Sequence, residues 1–233
     1  MSRILSQEEV EALLKGVQTG KISTEAKKKT FEVKPYDFLQ APRPLRGLPG
    51  LDRICQKFGV LLKNSLSTLL YKSIDVITRP SEQIRFNEFV KMVPVPSSVN
   101  VLKLNPFNGS GLFIMEQSLV IALVELFFGS HKVRLQKMEP RSFTSMEERV
   151  IKRIVLLVSN DLAQAWKDLL ILNPEFTGFD TTVESTGIAT PSELVIKVEF
   201  QISIDEFSGK AFLTIPFSVI EPFADQIIKK LLR

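Results

Sequence analysis

Cysteine, histidine and tryptophan each occur once in these 233 residues, as Cys55, His131 and Trp166, and tyrosine only twice. A lone cysteine excludes an internal disulfide framework and suits a reducing compartment. Cys55 falls on the apolar face of a predicted helix, so it reads as a buried, inert thiol. A lone histidine removes the metal and nucleophile chemistries that need paired imidazoles, and without clustered Cys/His ligands no metal site is expected. No apolar run reaches the length of a membrane span, because Lys or Asp interrupts each one, so no membrane insertion is expected. The N-terminus lacks the basic-then-apolar layout of a secretory signal. Neither form of Gly-rich phosphate loop is present, nor the G-x-S-x-G elbow, so no catalytic residue and no cofactor is assigned.

What is present describes a soluble globular protein, with 44% hydrophobic and 24% charged residues, enough for one large domain or two small ones. A net charge of +4 raises the question of nucleic acid. Outside Lys27, Lys28 and Lys29, however, the bases are scattered among acids, and no helix-turn-helix, RNP or zinc-finger pattern accompanies them. No nucleic-acid partner is expected.

The first stretch encodes a short helix twice over. Ser6 and Glu9 form an S-x-x-E capping box, and Leu5 and Val10 a hydrophobic staple. Glu8, Glu9 and Glu11 crowd the opening turns, where the helix dipole favours negative charge. Val10, Leu13, Leu14 and Val17 then make one apolar stripe. Gly16 closes the helix, and residues 18–34 are polar. So short a helix is marginal alone. Tethered by a polar linker, it reads either as a terminal helix docked on its own domain or as bait for a partner's groove, the second being favoured.

Prolines 42, 44 and 49 with Gly47 and Gly50 mark a junction. Beyond it the spacing predicts a helix over 51–72, a strand over 74–77, an undecided segment over 84–93, and a hairpin of strands 99–104 and 112–115 around Asn108-Gly109-Ser110-Gly111. A compact helix over 119–128 stops at Gly129. Thr144 and Glu147 form another capping box, opening a helix to about residue 170. Strands over 194–204 and 211–215, joined by a turn at 206–209, precede a final helix over 219–232.

This second half repeats the first. A shift of 96 residues carries Ile54 onto Val150, Phe58 onto Ile154, Leu61 onto Leu157, Leu66 onto Leu162 and Leu70 onto Trp166. Farther on the shift becomes 100, carrying Gly109 onto Gly209 and Leu112 onto Phe212. The expectation is one domain of two related halves sharing a sheet, with an approximate internal two-fold axis. Runs such as Leu194-Val195-Ile196 suit a sheet covered on both faces. The acid pairs Glu147-Glu148 and Asp205-Glu206 read as structural. The loop Phe127-Phe128-Gly129-Ser130-His131-Lys132-Val133-Arg134 reads equally as a solvated helix C-cap and as a docking loop held by a rigid scaffold.

Together these residues resemble the flagellar motor switch protein FliM family, across an N-terminal peptide and a middle domain. Leu5-Ser6-Gln7-Glu8-Glu9-Val10-Glu11-Ala12-Leu13-Leu14 is similar to the family's L-S-Q-x-E-I-D-A-L-L peptide. Val33-Lys34-Pro35-Tyr36-Asp37-Phe38 resembles its K-P-Y-D-F junction, and Pro94-Val95-Pro96-Ser97, Pro191-Ser192-Glu193-Leu194-Val195 and Pro216-Phe217-Ser218-Val219-Ile220-Glu221-Pro222 resemble its middle domain. The resemblance implies a CheC-like α/β/α sandwich with pseudo-two-fold symmetry over 45–233, a binding helix over 1–17 and a linker over 18–44. It implies a non-enzymatic component of the cytoplasmic ring, at the flagellar basal body on the cytoplasmic face of the inner membrane. Phosphorylated CheY is the expected ligand of Leu5, Ser6, Gln7, Glu9, Val10, Leu13 and Leu14. FliG is the expected ligand of Phe128, Gly129, Ser130, His131 and Lys132, and neighbouring copies of the chain the expected lateral partners.

Two departures stand out. The family's loop reads F-G-G-x-G; here Ser130 and Lys132 replace two glycines, leaving a stiffer loop and a substituted contact surface. The family also continues into a small β domain that joins FliN, and the sequence ends at Arg233, so FliN is expected only where that domain exists. A rival reading is a CheC/CheX-type phosphatase acting on the response regulator, which needs E-x-x-N. No glutamate here has asparagine three residues later, and the rival is disfavoured.

Overall fold

The apolar stripe beginning at Leu51 forms helix α1 (Leu51–Leu70), with Leu51, Ile54, Cys55, Phe58, Leu62, Leu66 and Leu70 buried. It opens a computed structural model that describes residues 51–133 and 139–224, with Ile227 and Lys230. The helix stops two residues earlier than its periodicity predicts. Tyr71 enters the left-handed region at φ 51°, and the Lys72 N–H turns back to the Ser67 carbonyl at 3.3 Å.

Among the described residues the remaining strands and α-helices are β1 (Ile74–Thr78), β2 (Glu82–Arg85), α2 (Phe86–Met92), β3 (Ser97–Asn105), β4 (Ser110–Glu116), α3 (Gln117–Phe127), α4 (Ser145–Trp166), β5 (Asn173–Asp180), β6 (Leu194–Ile204), β7 (Phe207–Pro216) and α5 (Phe217–Ile220). The segment left undecided splits. Glu82–Arg85 pairs with β6, and buried Phe86 and Phe89 then anchor α2. The final helix begins earlier than expected and tightens at once into a 3₁₀ turn, Glu221–Phe223, where Pro222 stands in the first turn. The β6–β7 turn lies at Asp205 and Glu206, with Asp205 at φ 52°, so Phe207 already belongs to β7.

The seven strands of the described residues form one antiparallel sheet, ordered β1-β6-β7-β4-β3-β5, with β2 also on β6. The larger core lies between one sheet face and α1, α3 and α4; a smaller one, centred on Phe89, Leu112, Ile114 and Phe212, lies under α2 on the other face. The fold is the α/β/α sandwich, and the repeat is built into it. Exchanging β1 with β5, β3 with β6 and β4 with β7 turns the strand order into its own reverse. The axis runs between β4 and β7, where Phe113 pairs with its own equivalent, Leu213. Over the sheet it passes between α1 and α4, where Ser65 donates to Asp161 Oδ1 at 2.9 Å, again two residues related by the shift of 96. The hairpin glycines obey the same symmetry. A Cβ on Gly109 would strike the Val219 side chain, and one on Gly209 would meet Leu119 Cβ at 2.9 Å, so each half's helix sits on the other half's hairpin.

The start of α4 shows how a local signal fixes an element. Thr144 Oγ1 accepts from the Glu147 N–H at 3.3 Å, and Glu147 Oε2 accepts from the Thr144 N–H at 2.7 Å. Arg141 grips the same carboxylate twice, at 2.6 and 2.9 Å. The guanidinium, with the two Thr144 bonds, outweighs burial and holds the Glu147 pKa at about 2. A depressed carboxylate pKa stabilises the fold above the unfolded value of 4.5, and that stability is lost as pH falls towards 2. Glu147→Gln is therefore expected to lower stability at pH 7 by about 2 kcal/mol and to flatten the acid limb between those pH values. Urea titrations across the range check both.

Candidate functional site

Helix α3 is buried almost along its length, which makes its exposed C-terminal end a rigid mounting. Gly129 supplies the left-handed residue, at φ 88°, that closes the helix. Its N–H donates to the Leu126 carbonyl at 2.9 Å, and the Ser130 N–H to the Glu125 carbonyl at 3.0 Å, the paired bonds of a Schellman closure. An added Cβ would meet nothing within 4 Å. Gly129→Ala is thus expected to cost about 1 kcal/mol through backbone strain alone, a small loss of melting temperature without a packing defect.

Beyond the glycine the loop is fastened on both sides. Ser130 Oγ donates to the Lys132 carbonyl at 2.8 Å. Lys72 Nζ, from the turn after α1, donates to the His131 carbonyl at 2.8 Å and reaches Asp205 Oδ2 at 3.3 Å. One ammonium thus ties the loop to the β6–β7 hairpin. Beside it opens a cavity of about 320 Å³ lined by Lys72, His131, Lys132, Val133, Ile204, Asp205, Glu206 and Phe207. Phe128 stands 58% exposed, its ring set edge-on to Phe127 at 5.7 Å, and Tyr71 stands 94% exposed beside Lys72. An exposed phenyl ring on a rigid loop beside a charged cavity suits anchoring of a protein partner.

The structure brings together Phe128, Gly129, Ser130, His131 and Lys132 as one surface. It adds Tyr71 and Lys72, which a helix read through residue 72 concealed, and Asp205, which Lys72 reaches from across the chain. Leu5, Ser6, Gln7, Glu9, Val10, Leu13 and Leu14 lie outside the described residues. Cys55 is buried, and that burial, with the nearby Asp52 charge, pushes its thiol up to about 12, which leaves it unreactive. Among the described residues no group of His, Cys, Asp and Glu is placed to hold a metal, and no helix is long and apolar enough to cross a membrane.

The family model of the flagellar motor switch protein FliM matches residues 46–232. FliM of Pseudomonas aeruginosa is 36% identical over 225 residues, covering 96% of this chain and 69% of that protein. The crystal structure of the FliM middle domain from Vibrio alginolyticus superposes with a TM-score of 0.68 at 28% identity, over 76% of this chain and 99% of that one. A chain of the FliG–FliM complex from H. pylori does so with a TM-score of 0.71 at 21% identity, over 78% of this chain and 97% of that one. The described domain, its internal symmetry and these matches converge: the chain belongs to the flagellar motor switch protein FliM family.

Proposed function

We propose that this chain is a non-enzymatic switch component of the cytoplasmic ring, at the cytoplasmic face of the inner membrane, that controls rotation direction. Residues 1–17 form the receptor for phosphorylated CheY, residues 18–44 the tether, and residues 45–233 the domain that holds FliG beside neighbouring copies. FliN joins only through a further C-terminal domain. The observation that carries the FliG assignment is Phe128, exposed on a loop whose backbone is locked by Gly129 and Lys72. The H. pylori relative, crystallised with FliG, supports it. The tether raises the local concentration of the receptor helix around the ring, so modest affinity per copy gives useful occupancy. Phosphorylation acts by favouring the CheY conformation whose groove accepts the helix.

A pull-down with purified FliG, and with CheY in both phosphorylation states, tests the reading. Phe128→Ala is expected to weaken FliG retention by about 30-fold, the loss of one interface anchor, while CheY capture is unchanged. Retention of FliG at the original level would remove the loop from the interface. The phosphatase reading finds no support in the helices. Asn64 and Asn160 are exposed on α1 and α4, but the residues three before them are Leu61 and Leu157, which cannot grip a partner's lysine. Accelerated CheY dephosphorylation by this chain would overturn the non-enzymatic assignment.

A further inference from the structure

Two segments that lie far apart in the sequence line the cavity beside the loop, and each brings one sign of charge. Residues 131–133 supply His131 and Lys132, and the β6–β7 turn supplies Asp205 and Glu206. Lys72 joins these two walls. Its ammonium donates to the His131 carbonyl at 2.8 Å and meets Asp205 Oδ2 at 3.3 Å, so it offsets one acid and sets how far apart the walls stand. Lys132 and Glu206 are left over. Both are exposed, both line the cavity, and among the described residues neither has an ion-pair partner. The remaining lining is apolar. Ile204 is fully buried, while Val133 and Phe207 are half-buried and pack against the main core.

These groups discriminate among small molecules. A diamine would set one of its charges against Lys132, and a phosphate or dicarboxylate would set one against Glu206, in each case a like-charge contact that raises the cost of binding. An uncharged apolar molecule would leave both charged walls without a partner. A molecule with a carboxylate at one end, an ammonium at the other and a short aliphatic chain between them satisfies every part of the lining. Lys132 and a ring N–H of His131 donate to its carboxylate, Glu206 accepts from its ammonium, and the chain lies against Val133, Ile204 and Phe207. A cavity of about 320 Å³, the volume of about ten waters, takes such a molecule whole.

We propose that this cavity is a binding site for a free zwitterion of that kind, an ω-amino acid. Once bound, the ligand joins the loop to the β6–β7 hairpin a second time, beside the tie already made by Lys72. Phe128 does not line the cavity, so the site is separate from the FliG anchor and is read with FliG absent.

Saturation-transfer NMR on the full chain, with 6-aminohexanoate as the probe, tests the site. Exposed charges contribute weakly, so a Kd of about 1 mM is expected in 0.05 M salt, rising about threefold in 0.5 M. Hexanoate lacks the ammonium, hexylamine lacks the carboxylate, and leucine carries both charges on one carbon. Each is expected to bind at least about tenfold more weakly. Lys132→Gln and Glu206→Gln each weaken 6-aminohexanoate about tenfold with melting unchanged, because both positions are exposed and unpaired. The double exchange Lys132→Glu with Glu206→Lys restores binding, with the ligand turned end for end, which a merely structural effect of either substitution would not do. No transfer to 6-aminohexanoate overturns the proposal. So does equal binding of hexanoate, which makes the cavity a plain anion site, or equal binding of leucine. Affinity untouched by the Gln substitutions places the ligand elsewhere and overturns it too.

Discussion

Alanine at both Leu13 and Leu14 is expected to abolish capture of phosphorylated CheY while leaving the melting of the domain unchanged. Both residues belong by spacing to one apolar pattern with Val10 and Val17, on a segment whose sequence carries the residues of a capping box and a staple. In a partner's groove each leucine contributes about 2 kcal/mol by burial, so losing both costs about 4 kcal/mol, on the order of a thousandfold in affinity. Capping works alongside this by lowering the ordering cost of binding. Fluorescence titration with CheY and a thermal melt decide the matter together. Amide exchange adds a second reading, with residues 5–14 unprotected alone and protected by phosphorylated CheY. A large fall in melting temperature would instead make these leucines part of a core and end the receptor assignment.

The largest stability loss is expected at Phe58, which is fully buried on α1. Its ring meets Phe113 of β4 edge-on at 6.5 Å and Phe200 of β6 edge-on at 5.3 Å. Those strands belong to different halves, so the one ring helps join them. Phe58→Ala removes that burial and opens a cavity that close-packed neighbours refill only in part, at a cost of about 3–5 kcal/mol. Melting temperature should drop by roughly 10 °C, and the CheY capture proposed for residues 1–17 should survive wherever the domain stays folded. A loss below about 1 kcal/mol would mean that the aromatic contacts contribute little to joining the halves.

How much of this was legible in the sequence depended on the range of each signal. The long helices follow from spacing: Ile54, Phe58, Leu62 and Leu66 on α1 and Val150, Ile154, Val158 and Leu162 on α4 are all buried. The capping box at Thr144 was readable because both partners lie within four residues. Strand β5 was not readable. It begins at Asn173-Pro174, carries Gly178, and shifts register where Val101 gives way to Leu102, so no clean alternation survives. Strand β2 has only four residues and takes its existence from β6. In the loop, Phe128 and Gly129 were visible as a helix end. The tie from Lys72 was not, because its acceptors are a backbone carbonyl, which leaves no trace in residue identity, and Asp205, which is 133 positions away. The repeat was visible in the breakers and stripes, and the structure gave it its axis.

The exchange of outer strands between the halves has a mechanical consequence. Strand β1 leaves its own half to pair with β6, and β5 returns the exchange by pairing with β3, so neither half owns a complete sheet. Each hairpin is also pressed under the other half's helix through Gly109 and Gly209. Such a body has no joint of its own. A displacement imposed at the Phe128 loop passes through Lys72 into α1 and the β6–β7 hairpin, and from there into both halves at once. The domain therefore answers a push as a crank does, by turning whole rather than by bending within itself.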